Sequence, residues 1–282
     1  MIIMNIRGGF GNQLFEYAMG YARAKENKTI LLQDLSQYAK GYFRGYDLDK
    51  LKLDFRNTFA VESKNRIISI VRRSLAIGGG YRFYKEKKGY TVFDQDAIIK
   101  SRISTYYFGL WQSYRYFDQY RDDIIRQFQP SFDFSPEASE LRNDIRNDEK
   151  SVAIHIRRGD YIQVNGCISA EYYKQAISKM LQRVPGARFY FFSDDIPWVK
   201  ENFANIENAV FVNNDKTISD LEEFFIMSSA NHQIIANSTY SWWAAYLNQN
   251  MSKIVYAPEV ANWKGDFYPP EWNLIHTEIV KG

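Results

Sequence analysis

The feature that most restricts this chain is an alternation that occurs twice. Short apolar runs that read as buried strands alternate with stretches of helical periodicity, first near the N-terminus and again through the second half. Residues 2–6 form one such run. The glycine-rich turn Gly8-Gly9-Phe10-Gly11 follows, then an amphipathic helix with Leu14, Phe15, Ala18, Tyr21 and Ala22 on one face, then a strand at 29–32. In the second half, strands are predicted at 152–157, 189–192, 210–212, 233–236 and 254–256. Helices between them carry the stripe Tyr173, Ala176, Ile177, Met180, Leu181 and Val184, a start at Pro197, a capping box of Ser219 and Glu222, and the run 242–247. Such alternation implies parallel sheets with helices on both faces. Two domains of this kind facing each other would place a ligand cleft between the carboxyl ends of their strands.

The middle of the chain is less regular. Ile67, Ile68, Val71 and Leu75 suggest a helix stopped by Gly78-Gly79-Gly80, and a strand at 103–110 and a helix at 117–128 follow. Gln129-Pro130 breaks the pattern, and Ser135-Pro136-Glu137 has the cap, N1 proline and early acid of a new helix. The boundary is therefore drawn at 134/135, giving domains 1–134 and 135–282, with the last twenty or so residues able to pack back on the first.

Composition narrows the classes. One cysteine, Cys167, excludes an intrachain disulfide and fits a reducing, cytoplasmic setting. No apolar run approaches the roughly 18 residues that span a bilayer. Aromatics make up 17% of the chain, which serves either core filling or sugar stacking. Net charge is +3, yet residues 64–88 hold eight Lys or Arg and one Glu, a local +7. That segment reads either as a solvated helix face or as a peripheral contact with anionic lipid on the inner face of the plasma membrane. It matches no nucleic-acid-binding motif. Three histidines and one cysteine make no zinc set, and neither a GxSxG nor a Walker A loop is present.

The sharpest motif is His155-Ile156-Arg157-Arg158-Gly159-Asp160-Tyr161. Alternation puts His155 and Arg157 on one face of a strand, with Arg157 at its carboxyl end. Paired guanidiniums before a glycine turn suit a diphosphate; the competing reading is a surface ion-pair loop in which Asp160 neutralises an arginine. His155 is either a core histidine or a ligand contact. Ser193-Asp194-Asp195 ends another strand, where a carboxylate can accept hydrogen bonds from a guanine edge or ribose, or cap the helix at Pro197. Asn237-Ser238-Thr239-Tyr240-Ser241 lies between a strand and a helix, as an anion site or as ordinary capping. In Gly8-Gly9-Phe10-Gly11-Asn12-Gln13 the third glycine of a dinucleotide fingerprint is replaced by Leu14, so Gly9 and Gly11 are expected to let the backbone approach a ligand that Asn12 bonds. Asp94-Gln95-Asp96 resembles a metal-binding acid pair but follows no convincing strand and reads as a turn.

These blocks, together with Leu110-Trp111-Gln112-Ser113 and the stretch from Asn237 to Trp243, resemble glycosyltransferase family 11, which contains bacterial α-1,2-fucosyltransferases. Phe10 stands where leucine is more usual. The block at 155–161 is also similar to blocks in α-1,6- and protein O-fucosyltransferases. The resemblance implies a GT-B fold of two Rossmann-like domains, the first on the acceptor side and the second holding the donor GDP-β-L-fucose. It further implies inversion at the anomeric carbon and no metal or other cofactor. By position, Arg157 resembles the arginine at the β-phosphate and glycosidic oxygen, with Arg158 and His155 beside it. Asp194 or Asp195 matches the acid that reads guanine, Ser238 and Thr239 (with Ser241 following) the small polar group at the diphosphate, and Asn12 the asparagine at the reaction centre.

The expected reaction is displacement at fucose C1 by the 2-hydroxyl of a terminal galactose, on an oligosaccharide or lipid-linked glycan. Arg157 stabilises the leaving diphosphate, and Asp160 is the first candidate for the base or else orients an arginine. The alternatives are another linkage or GDP-sugar, or a non-catalytic glycan- or nucleotide-binding protein.

Overall fold

The computed structural model describes residues 1–38, 44–54, 58–61, 81–99, 104–212, 215, 217–261, 263 and 265–280. The chain divides into two compact units, Met1–Phe132 with Lys264–Pro269, and Asp133–Trp263 with Pro270–Gly282. Of the last twenty residues, then, a short stretch lies with the first unit and the remainder with the second.

The first unit is built on β1 (Ile2–Asn5), α1 (Phe10–Glu26), β2 (Leu31–Asp34), β3 (Thr58–Val61), β4 (Tyr81–Lys85), β5 (Ser104–Phe108) and α2 (Arg121–Gln127). Its strands form a parallel sheet in the order β3-β2-β1-β5-β4. Helix α1 buries Leu14, Phe15, Tyr17, Ala18, Met19 and Ala22, and the Tyr17 hydroxyl donates to Gln127 Oε1 at 2.6 Å, fixing α1 to α2. The strand expected at 29–32 starts two residues later, after a turn in which Lys28 takes φ +50°. Strand β4, at the edge of the sheet, escaped the sequence reading because its exposed residues, Phe83 and Lys85, leave no clean apolar run. The helix expected at 117–128 shortens to α2, preceded by two 3₁₀ turns. Asp94 indeed belongs to a turn: it caps the 3₁₀ segment Gln95–Ile98 and accepts the Tyr84 hydroxyl at 2.7 Å. The helix expected around 67–75 and the glycine stop at 78–80 lie outside the described residues.

The second unit contains α3 (Pro136–Asn147), β6 (Ser151–Ile156), α4 (Gly159–Gln163), β7 (Cys167–Ile168), α5 (Ala170–Arg183), β8 (Arg188–Ser193), α6 (Ile196–Phe203), β9 (Ala209–Phe211), α7 (Asp220–Ser228), β10 (His232–Ile234), α8 (Thr239–Leu247), β11 (Val255–Glu259), β12 (Asn273–His276) and β13 (Ile279–Val280). Six parallel strands lie in the order β12-β11-β10-β6-β8-β9, and β7 and β13 make a small antiparallel pair. Strand β11 was expected to be the last; β12 adds an edge beyond it. The core packs Ile154, Phe189, Phe191 and Ile234 of the sheet against Tyr173, Ile177 and Met180 of α5 and Val199 and Phe203 of α6. Ser135 caps α3 through the Ala138 N–H, as its Ser-Pro-Glu start predicted, and the Ser219–Glu222 capping box is formed. Among the described residues no helix is long and apolar enough to cross a membrane.

Candidate active site

The register of the second sheet assembles the charged cluster. Ile156 of β6 pairs with Ser193 of β8, so the dipeptides Arg157-Arg158 and Asp194-Asp195 leave adjacent strand ends side by side. Arg157 Nη1 lies 2.9 Å from Asp194 Oδ2, and Arg158 Nε lies 3.0 Å from Asp195 Oδ2. Asp160, in the first turn of α4, holds the other end of the Arg157 fork, with Nη2 to Oδ1 at 2.7 Å. The backbone N–H of Arg158 donates to Asp194 Oδ1 at 2.8 Å. Gly159 is required by that close approach, since a Cβ there would come 2.7 Å from Asp194 Oδ2. Asp195 also caps α6 by accepting the Trp198 N–H, and the Trp198 ring lies 4.1 Å under the Arg158 guanidinium.

The neighbouring strand β10 supplies the third side. Asn237 donates to the Gly166 carbonyl at 2.9 Å, and the Tyr161 hydroxyl donates to the Asn237 carbonyl at 3.0 Å, so α4 is pinned to the loop before α8. Ser238 stands at the cap position of α8, yet its side chain makes no capping bond; it meets Tyr161 instead. Ordinary capping therefore does not explain the hydroxyl of Ser238. Thr239 opens α8, and Ser241 is buried in its first turn with its hydroxyl toward the Ser238 carbonyl. His155 is buried, its ring 5.5 Å from that of Tyr240. Burial, reinforced by the Arg157 charge, pushes its pKa down to about 3, so the imidazole is neutral. Neither His155 Nδ1 nor Asn237 Oδ1 finds a hydrogen-bond partner among the described residues.

Nine of the predicted site residues thus gather at the carboxyl ends of β6, β8 and β10: His155, Arg157, Arg158, Asp160, Asp194, Asp195, Ser238, Thr239 and Ser241. Carboxyl ends are where open α/β sheets bind ligands. Gly9, Gly11 and Asn12 belong to the first unit. There the glycine loop is shorter than expected. The Gly9 carbonyl already accepts the N–H groups of Asn12 and Gln13, so α1 begins at Phe10 and Gly11 is buried inside its first turn. Gly8 keeps φ +80°, and a Cβ at that position would strike Asn12 Nδ2. Asn12 Oδ1 accepts Gln112 Nε2 at 3.0 Å, joining the turn after β1 to the one after β5. Asp34 is taken up by the Tyr106 hydroxyl and the Ser36 N–H.

The two arginines need no external anion to coexist, because the chain supplies three carboxylates for them. The aspartates expected to include a guanine reader have both oxygens engaged by arginine and backbone donors, so a nucleobase would have to share or displace those bonds. Trp198 was missed as the platform of Arg158. Its signal is its place three residues after the capping aspartate, in the first turn of α6.

Comparison with known proteins gives this two-unit α/β chain its class, a glycosyltransferase, and its family. Residues 1–276 match Glycosyl transferase family 11, and the chain belongs to that family. It is 32% identical over 277 residues to an alpha-1,2-colitosyltransferase of Escherichia coli, covering 92% of this chain and 91% of the relative. It is 31% identical to the O-antigen biosynthesis glycosyltransferase WbnK of Escherichia coli, covering 90% and 92%. Galactoside alpha-(1,2)-fucosyltransferase 2 of Oryctolagus cuniculus is 23% identical, covering 96% of this chain and 76% of its own. In fold it is similar to NodZ alpha-1,6-fucosyltransferase co-crystallised with GDP, with a TM-score of 0.56 at 12% identity over 86% of this chain and 91% of that one.

Proposed function

We propose that this glycosyltransferase moves L-fucose from GDP-β-L-fucose to the 2-hydroxyl of a terminal galactose, with inversion at C1 and without a metal or other cofactor. The observation that carries the reading is the Arg157 fork, fixed at the carboxyl end of β6 by carboxylates from two different turns. Charge grows on the β-phosphate oxygen as the C1–O bond breaks. A preorganised guanidinium aimed at that oxygen lowers the barrier, and Arg158 adds a second positive charge held flat on Trp198. Ser238, Thr239, Ser241 and His155 are read as donor-binding, as are Gly9 and Gly11 of the glycine loop, and Asn12 is read as catalytic. Asp194 and Asp195 act through the arginines rather than on the base.

The 2-linkage is supported by similarity to the Escherichia coli alpha-1,2-colitosyltransferase and the Oryctolagus cuniculus galactoside alpha-(1,2)-fucosyltransferase 2. The former also supports a second transferred sugar, colitose, in place of fucose. The test is a panel of galactose-terminated acceptors incubated with each GDP-sugar, the product linkage being read by NMR. An α-1,2-fucosyl product is expected; another linkage, or turnover with GDP-colitose alone, contradicts the reading. Residues 64–88 are proposed as a peripheral lipid contact, tested by cosedimentation with anionic vesicles. Residues 64–80 lie outside the described residues. In the remainder, Arg82 and Lys87 lie over the Tyr84 ring and Lys88 reaches Asp94.

A further inference from the structure

Two turns of the second unit reach the strand-end cluster from different strands. The turn after β6 carries the Arg157 fork, and the turn after β10 carries the hydroxyls of Ser238, Thr239 and Ser241. Helix α4, which follows the fork, has five residues, below the length at which a helix holds itself in water. It bears Asp160, which holds Arg157 Nη2. The aim of the fork therefore depends on what fastens α4. Tyr161 joins the two turns through one atom. Its hydroxyl donates to the Asn237 carbonyl at 3.0 Å and accepts from the Ser238 hydroxyl. Its ring centre lies 5.9 Å from the Arg157 guanidinium carbon. The ring also packs on Gly166, where a Cβ would come 3.1 Å from Tyr161 Cδ1. Two hydrogen bonds close the same loop: the Gly166 N–H donates to the Tyr161 carbonyl at 2.8 Å, and Asn237 Nδ2 donates to the Gly166 carbonyl at 2.9 Å.

We propose that Tyr161 is a positioning residue for transfer: its hydroxyl sets the spacing between the Arg157 fork and the Ser238 hydroxyl, so that both meet the donor diphosphate together. This rests on the donor reading given above. The tyrosine acts through these two side chains rather than on the reacting atoms. A guanidinium is a directional donor, and a misplacement of about 1 Å at such a group costs about 100-fold in rate. A bound diphosphate in the ground state can follow a displaced arginine. The transition state cannot, because the line of attack fixes where the leaving oxygen lies. Loss of the hydroxyl therefore shows in kcat more than in GDP affinity.

The test takes Tyr161→Phe, which keeps the ring on Arg157 and Gly166 and removes the hydroxyl. GDP binding and steady-state transfer are measured together, and kcat is expressed per GDP-binding site so that any unfolded fraction drops out. GDP affinity is expected to change by less than about threefold while kcat falls about 10- to 100-fold. The same substitution is then made in Arg157→Lys and in Ser238→Ala. Because the hydroxyl works through those two side chains, it should cost little further in either background. A kcat per site equal to that of the wild type would make Tyr161 a structural residue alone and overturn the proposal. GDP binding weakened as much as kcat, or a loss that adds in full in either background, would overturn it too. A wild type that binds GDP keeps the donor reading whatever the variants do; one that binds none removes that reading and this proposal with it.

Discussion

The two parallel sheets carry polar clusters at the same topological place, their carboxyl ends, but spend charge differently. In the second unit, Arg157 and Arg158 meet three partly exposed aspartates that lie within reach of a charged ligand. In the first, one arginine serves the buried Glu16 and the half-buried Glu86. The Arg7 N–H donates to Glu16 Oε2 at 2.7 Å, and the Arg7 charge also acts on Glu86, whose carboxylate accepts the Leu110 and Trp111 N–H groups. Burial pushes both carboxyls up, and Arg7 with the backbone donors pulls them back. The Arg7 guanidinium packs on the Phe108 ring at 4.5 Å. That cluster is a brace for the turns after β1, β4 and β5. The turns after β1 and β5 also carry the amides of Asn12 and Gln112, hydrogen-bonded to each other. Charge on an exchangeable surface suits a diphosphate, while neutral amides on a braced frame suit the hydroxyls of a sugar.

The contrast breaks most directly at Arg157. Arg157→Ala is expected to fold and to lose transfer by about 100- to 1,000-fold. Arg157→Lys fails similarly, because a point charge does not reproduce the fork; near-wild-type turnover by the lysine variant would remove the bidentate role. The opposite pattern is expected at Arg7. Arg7→Met leaves the buried Glu16 carboxyl and the half-buried Glu86 without their cation, costing up to about 3 kcal/mol of stability by denaturant titration. Turnover of its folded fraction falls far less than in Arg157→Ala. If Arg7→Met proved stable but inactive, the first cluster would be chemical and the comparison wrong.

The sequence was most legible where local physics decides the outcome. Ser135-Pro136-Glu137, the Ser219–Glu222 box and the stripe of α5 each specify a helix from neighbours in sequence, and each helix formed, although Leu181 of the stripe stands exposed and Val184 falls at the C-cap. The pairing of Arg157 with Asp194 and of Arg158 with Asp195 could not be read, because it depends on the register of two strands separated by α5. Without it the arginines looked unneutralised and the aspartates looked available. Strands β4 and β12 were missed for a related reason: they lie at sheet edges, where the apolar pattern is diluted by exposed residues such as Phe83 and Leu274.

A smaller effect separates the frame of the second unit from its site. Burial alone would raise the Glu222 carboxyl, but the N–H groups of Ser135 and Ser219 and the Ser219 hydroxyl outweigh it and hold the pKa down to about 2, against an ordinary 4.5. A depressed carboxyl stabilises the fold above its unfolded pKa and loses that contribution as pH falls through the folded one. Wild type should therefore exceed Glu222→Gln by about 1 kcal/mol at neutral pH. The gap closes between about pH 4.5 and 2 in thermal melts. A gap independent of pH would mean that the carboxylate is not the stabilising species. The smallest effect is expected from chelation: EDTA should leave transfer unchanged, since the arginines supply the positive charge at the diphosphate. Activity lost to EDTA and restored by manganese or magnesium would overturn that view.

The central claim is that the cluster of the second unit recognises a diphosphate through the Arg157 fork. Calorimetric titration of GDP and GMP into the wild type and into Arg157→Lys tests it most directly, because GMP lacks the phosphate assigned to that arginine. The wild type should prefer GDP by about tenfold or more, roughly the worth of one charge-assisted bond, and the lysine variant should lose most of that preference. An equal preference in both proteins would contradict the account.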